Sequence, residues 1–86
     1  MNTLSFSLIK SARRRVVGAK ETLKALEKGE AKIVVAAKDA ENRVIQPVLD
    51  LSESRGVEVR YVEGMKELGK ACGIKVGAAV AAITEL

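Results

Sequence analysis

The sequence predicts an α/β protein, a three-layer α/β/α sandwich built on a four-stranded mixed sheet. Two observations carry that prediction. Segments of helical and of strand character alternate in the order α-β-α-β-α-β-α-β along all 86 residues, and such alternation places helices on both faces of one sheet. Glycines at positions 18, 29, 56 and 73 close successive segments, so four strands fit this length only with short loops.

The first segment, Ser5 to Arg14, sets Phe6, Ile9 and Ala12 near helical spacing with Leu8 beside them, and Ser5 is the expected N-cap. Arg15-Val16-Val17-Gly18 is a short β-branched run, hence a strand. Ala19 to Lys28 is the clearest helix. Ala19, Leu23 and Leu26 form its apolar stripe, Lys20, Glu21, Lys24 and Lys28 its polar side, and Gly29 stands where a C′ glycine belongs. Lys32 to Lys38 holds Ile33-Val34-Val35-Ala36-Ala37, apolar throughout, as in a strand covered on both faces.

Asn42 to Arg55 carries Val44, Ile45, Val48, Leu49 and Leu51 at helical spacing and is stopped by Gly56. Proline suits a first turn and disrupts later ones, so Pro47 moves the expected start of the regular helix to about Gln46. Val57 to Val62 alternates Val57, Val59 and Tyr61 with Glu58 and Arg60, a strand pattern. Met65, Leu68, Ala71 and Cys72 define a fourth helix closed by Gly73, and the small-residue run from Gly77 to Ile83 is the expected last, central strand.

Composition excludes more than it selects. The length allows one domain, 1–86, and 48% hydrophobic residues suit a folded chain. With no histidine, His-based acid–base work, Ser-His or Cys-His nucleophile pairs and His-containing metal sites are all out of reach. The single cysteine, Cys72, forms no internal disulfide and no thiolate zinc cluster; in line with Leu68, it is expected as a small buried hydrophobe. Catalytic residues, metals and cofactors are therefore not expected. No apolar run approaches the roughly 20 residues of a membrane helix, and Met1 to Lys10 lacks the layout of a signal peptide. A cytoplasmic protein is expected, and the absence of heptads points to a monomer.

The net charge of +4 is unevenly placed. Lys10 to Lys28 holds seven basic residues against Glu21 and Glu27, whereas Asp39 to Glu58 holds five acidic ones against Arg43 and Arg55. A one-sided basic patch attracts polyanions, nucleic acid above all, although a lysine-rich helix face is also a common solvated surface. Phe6 and Tyr61 are the only aromatics, too few for a base-stacking platform.

Two features stay open on the residues alone. Glu21 can pair with Lys24 at i,i+3, worth a few tenths of a kcal/mol, or accept from base-edge donors such as guanine N1 and N2, which a Watson–Crick duplex hides. The stretch Gly73-Ile74-Lys75-Val76-Gly77-Ala78 can start the last strand, with Ile74 and Val76 in the core, or form an apolar loop presented to unstacked bases.

Three stretches taken in order supply a resemblance. Gly18-Ala19-Lys20-Glu21-Thr22-Leu23-Lys24-Ala25-Leu26-Glu27-Lys28-Gly29 runs straight into Ala31-Lys32-Ile33-Val34-Val35-Ala36-Ala37-Lys38-Asp39-Ala40. Later come Leu68-Gly69-Lys70-Ala71-Cys72-Gly73-Ile74 and Gly77-Ala78-Ala79-Val80-Ala81-Ala82-Ile83. Together they closely resemble the kink-turn-binding ribosomal family of L-seven-Ae and L-thirty-e type, above all its short bacterial members of the YbxF kind, over about residues 8–83.

The resemblance implies an α/β/α sandwich and, as ligand, a kink-turn: an RNA duplex bent at a short bulge beside tandem sheared G·A pairs. By position it implies Gly18, Ala19, Lys20, Glu21 and Lys24 at the G·A pairs. It implies Gly73, Ile74, Lys75, Val76, Gly77 and Ala78 against the bulged nucleotides. Arg13, Arg14, Arg15, Lys28 and Lys38 are expected along the RNA backbone. Sheared pairing leaves the guanine Watson–Crick edge largely free, which would give the Glu21 carboxylate its donors. The chain departs from many archaeal and eukaryotic members, which have Thr-Asn where it has Ala19-Lys20. It also has Gly64 where a serine often caps the fourth helix, and Asn42 where a proline often opens the third.

The expected function is thus non-enzymatic recognition of structured RNA, ribosomal or riboswitch, with the ribosome as a further expected partner and no membrane. The alternative is a protein–protein interaction module on the same fold that has lost RNA binding.

Overall fold

The computed structural model describes the backbone of residues 3–86 and the side chains of residues 7–86. The first helix, α1, spans Thr3–Ser11. It is already helical at Thr3, so Ser5 lies inside it and is not its N-cap; the expected core contact of Phe6 lies outside the described side chains. Next come β1 (Arg14–Val17), α2 (Ala19–Glu27), β2 (Ile33–Ala37), α3 (Asn42–Ser54), β3 (Glu58–Val62), α4 (Met65–Ala71) and β4 (Val80–Glu85). The alternation of eight elements matches the order expected from sequence.

The sheet order is β1-β4-β2-β3, with β4 antiparallel to both neighbours and β2 parallel to β3. Side chains of a strand alternate between its two faces, and the core divides accordingly. Val35, Ala37, Ala81 and Ile83 pack with Ile9 of α1 and with Leu68 and Ala71 of α4. Val34, Ala36, Val80 and Ala82 pack with Ala25 and Leu26 of α2 and with Ile45 and Val48 of α3. Three layers result. The uniformly apolar runs in β2 and β4 reflect their central positions, since both faces of both strands are covered.

Three boundaries depart from expectation by three residues or more; α1 ends at Ser11 rather than Arg14, which already opens β1. α3 starts at Asn42 rather than near Gln46 and carries Pro47 inside it. Proline removes the amide that would bond the Arg43 carbonyl, but Arg43 and Pro47 both lie on the exposed side, where water can take that acceptor. The last strand begins at Val80, three residues later than expected, because Gly77 to Ala79 belong to a loop that crosses α4.

One position on α2 is unusual. Thr22, not Leu23, sits at the centre of the buried stripe, fully enclosed, and its hydroxyl oxygen has no hydrogen-bond partner.

Candidate nucleic-acid interface

Sheet register places the site. Gly18, which follows β1, donates its amide to the Val80 carbonyl at 2.8 Å, and the Ala37 amide donates to the Ala79 carbonyl at 2.9 Å. The start of α2, the residues after β2 and the loop before β4 therefore meet at one end of the sheet. Gly18 is the N-cap of α2 with φ 98° and ψ 156°, a backbone region that is essentially glycine-only. That conformation turns the chain from strand to helix in one residue.

The opening turn of α2 is uncapped by any side chain. The first amides of a helix have no intrahelical acceptors. The Gly18 carbonyl is satisfied by the Thr22 amide at 3.0 Å, but the amides of Ala19, Lys20 and Glu21 are available for an outside acceptor, and the helix dipole favours a negative one. Lys20, Glu21 and Lys24 are all exposed. Glu21 does pair with Lys24, at 3.9 Å and with both side chains about half exposed. Such a pair contributes little and is readily exchanged for a better partner.

The second half of the site is the loop from Gly73 to Ala79. α4 ends with the Gly73 amide donating to the Lys70 carbonyl and the Ile74 amide to the Gly69 carbonyl, both at 3.0 Å. This pair of bonds requires a left-handed residue at position 73, which Gly73 supplies at φ 79°. The loop then runs back over α4, and the Ala78 amide donates to the Met65 carbonyl at 2.9 Å. Gly69 makes that crossing possible, since a Cβ there would overlap the Val76 carbonyl. Gly69 has no part in the apolar spacing of the fourth helix. Its signal was present, for a glycine in the middle of a short helix costs about 1 kcal/mol in propensity and needs a reason.

The loop presents Lys75 and Val76, the latter 71% exposed and unusual for a large apolar side chain. Ile74 is half-buried against the Leu68 cluster, and the Ala78 methyl is buried in the same cluster. Ala78 therefore lines the loop's floor rather than its outer surface. The segment is a loop and not the start of β4, with Ile74 packed inward and Val76 outward.

The basic residues split into three groups. Lys38 stands at the site end, paired with Glu63 at 3.2 Å with both side chains more than half exposed. Next to it, Asp39 Oδ1 accepts from the Met65 amide at 2.9 Å and caps α4 in place of the missing serine at Gly64. Arg13 and Arg14 lie at the opposite end of β1, where both pair with Glu85, at 3.9 and 3.3 Å. Lys28 follows the far end of α2. Arg14 and Val17 are separated by about 10 Å of strand, and Gly18 and Lys28 by about 15 Å of helix. The single basic corner expected from sequence is thus divided between two ends of the sheet. Arg15 turns inward, and its guanidinium meets the carbonyls of Ile9, Ala12 and Cys72 at 3.3 to 3.4 Å.

Among the described residues no group of three His, Cys, Asp or Glu is placed to hold a metal ion, and no helix is long and apolar enough to cross a membrane. Burial pushes the Cys72 thiol above its ordinary pKa, and the neighbouring Arg15 pulls it part of the way back.

Known proteins sharpen the picture. An RNA-binding protein of Halalkalibacterium halodurans is 48% identical over 80 residues, covering 93% of this chain and 98% of that one. The RNA-binding protein YbxF of Geobacillus stearothermophilus is 42% identical over the same shares of both chains. Among solved structures, a Giardia lamblia 15.5kD RNA binding protein superposes with a TM-score of 0.88 at 27% identity, covering 99% of this chain and 74% of that one. A family model, described as "Ribosomal protein L7Ae/L30e/S12e/Gadd45 family", matches residues 5–86. The relatives are RNA-binding proteins rather than enzymes, and this α/β/α chain belongs to that ribosomal-protein family.

Proposed function

We propose that residues 1–86 form one non-enzymatic RNA-binding domain that recognises and stabilises kink-turn RNA. The observation that supports this most is the meeting, at one end of the sheet, of an uncapped helix start bearing Lys20, Glu21 and Lys24 with a backbone-braced loop whose apex is the exposed Val76.

Each part suits a different part of a bent, bulged RNA. The free amides and dipole of α2 take a phosphate or a base acceptor. Lys20 and Lys24 reach guanine O6 and N7 or nearby phosphates. Glu21 accepts from the N1 and N2 donors that sheared G·A pairs leave free and that ordinary duplex RNA conceals. Val76 covers an extruded base without any aromatic side chain, and Gly18 and Ala19 allow close approach of the backbone. Lys38 adds to the field at the same end. A protein that binds only the kinked form draws the RNA's conformational equilibrium towards it. Ribosomal and riboswitch RNA of the cytoplasm are the natural targets.

The test is a titration of the protein against a kink-turn hairpin and against a control whose G·A pairs are changed to Watson–Crick pairs, at two salt concentrations. Tight binding to the first with weak, salt-sensitive binding to the second is the expected result. Equal, weak binding to both would overturn the proposal and favour a protein-interaction module on the same fold.

A further inference from the structure

Arg15 stands apart from the other basic residues of its segment. It is half-buried, and it spans two elements that no other described side chain hydrogen bond joins to β1. One amino group of its guanidinium faces the Ile9 and Ala12 carbonyls at the end of α1, at 3.3 and 3.4 Å, and the other faces the Cys72 carbonyl at the end of α4, at 3.3 Å. Each contact is long for a hydrogen bond. A cation at two helix C-termini gains in addition from the partial negative charge that both helices collect there.

The position of the Cys72 carbonyl gives this clamp its meaning. Cys72 is the C-cap of α4, and the next residue, Gly73, opens the loop that carries Val76. Gly73 lies so close to the guanidinium that a Cβ there would come within 3.9 Å of it. The loop is held at its far end by the Ala78 amide on Met65 and in its middle by contact with Gly69. Its root is held by the Gly73 and Ile74 amides, and beneath that root sits Arg15.

We infer that Arg15 is a positioning residue for the Gly73–Ala79 loop, acting on RNA affinity by fixing the loop's root to α1 and β1 and not by touching phosphate. This inference rests on the proposed RNA recognition. It replaces a direct backbone contact at Arg15 with an indirect role. If loosening the root leaves the loop in its binding-competent shape only about a tenth of the time, the apparent Kd rises about tenfold, while the number of ionic contacts to RNA is unchanged.

The experiment compares the wild-type protein with Arg15→Gln, Arg15→Lys and Arg14→Gln. It measures Kd for the kink-turn hairpin over a salt series, amide hydrogen exchange in the free protein, and the rate at which a thiol reagent labels Cys72. Cys72 is the single cysteine and lines an open groove beside Arg13, Arg14 and Arg15, so it reports the clamp without any added label. Both Arg15 variants are expected to bind about tenfold more weakly with an unchanged salt slope. Their Ile74 and Ala78 amides should exchange faster and the Thr22 and Val57 amides should be unaffected, and Cys72 should label faster in Arg15→Lys, which keeps the charge that favours the thiolate. Arg14→Gln, which leaves the clamp intact, is expected to keep exchange at Ile74 and Ala78 at the wild-type rate.

Wild-type affinity in Arg15→Lys would overturn the inference, because the charge would then suffice without the fork. So would a salt slope reduced by about one in Arg15→Gln, or weaker binding with exchange at 74 and 78 unchanged. Should Arg15→Gln fail to fold, Arg15→Lys decides by the same three readouts. Failure of the wild-type protein to discriminate the two RNAs would overturn RNA recognition instead, while the exchange and labelling data would still judge the clamp.

Discussion

The two ends of the sheet carry comparable positive charge and use it differently. At the end marked by Arg14 and Glu85, the arginines Arg13 and Arg14 lean on one carboxylate, and Glu30 lines the adjoining groove. At the end marked by Gly18 and Val80, Lys20 and Lys24 stand beside helix amides that nothing caps and a loop that exposes a valine. Charge attracts a polyanion to either end. What separates them is unsatisfied hydrogen-bonding capacity and unburied apolar surface, held in place by backbone bonds. Shape and donor pattern, not the lysine count, make one end fit to discriminate.

The largest expected effect comes from breaking the better end at its support. Gly69→Ala places a methyl against the Val76 carbonyl, forcing the loop or α4 to move, at a cost of about 1–3 kcal/mol. Urea unfolding should show that loss, and the kink-turn titration should show binding falling with it. A variant as stable and as tight as wild type would mean that the loop does not need its close crossing of α4.

A narrower change sharpens the comparison. Glu21→Ala leaves the loop and the fold alone and should reduce the preference for G·A-containing RNA over its Watson–Crick control by about 1–3 kcal/mol, the worth of a good base-edge contact. Parallel titrations of the two RNAs measure this difference directly. Equal losses on both RNAs would reduce Glu21 to a surface charge paired with Lys24.

Smaller again is the contrast between ends. Lys20→Ala should lower the slope of log Kd against log salt by about one. Arg14→Ala, at the other end, should leave slope and affinity nearly as they are. Similar slopes lost in the two variants would show that RNA wraps both ends and that the division drawn from the sheet register has no functional weight.

The smallest effect concerns pH and the clamp. Burial raises the Cys72 pKa in the folded protein above its unfolded value, so the thiol's contribution to stability is complete below the unfolded value and is lost as pH rises through the folded one. Unfolding free energies at neutral and alkaline pH should therefore fall more steeply for the wild-type protein than for Cys72→Ala. The difference is small because Arg15 offsets part of the effect of burial.

Much of this architecture was legible because patterning and punctuation agreed. The apolar run of β2 announced a doubly covered strand, and glycines 29, 56 and 73 sit where three helices end. Pro47 misled, since its cost depends on whether the freed carbonyl faces water, and spacing along a chain does not reveal that. The start of β4 misled for another reason: Gly77-Ala78-Ala79-Val80 is apolar whether it pairs in a sheet or folds across a helix, and small residues have no strong period. Within the site, the residues of α2 and the loop were readable as a set, above all through family resemblance. The turning inward of Arg15 and the separation of Arg13, Arg14 and Lys28 were not. Adjacent residues on a strand point to opposite faces, and which face is solvent is decided by elements far away in sequence.

The Gly73–Ala79 loop owes its shape to main-chain bonds at 73, 74 and 78 and to the missing side chain at 69, which makes room for the Val76 carbonyl; none of these involves the side chain of Lys75 or Val76. These two exposed side chains are therefore free to be exchanged without redrawing the loop. In evolution or in the laboratory, that makes positions 75 and 76 a replaceable tip on a fixed mount, where a new RNA preference can be tried at little risk to the fold beneath it.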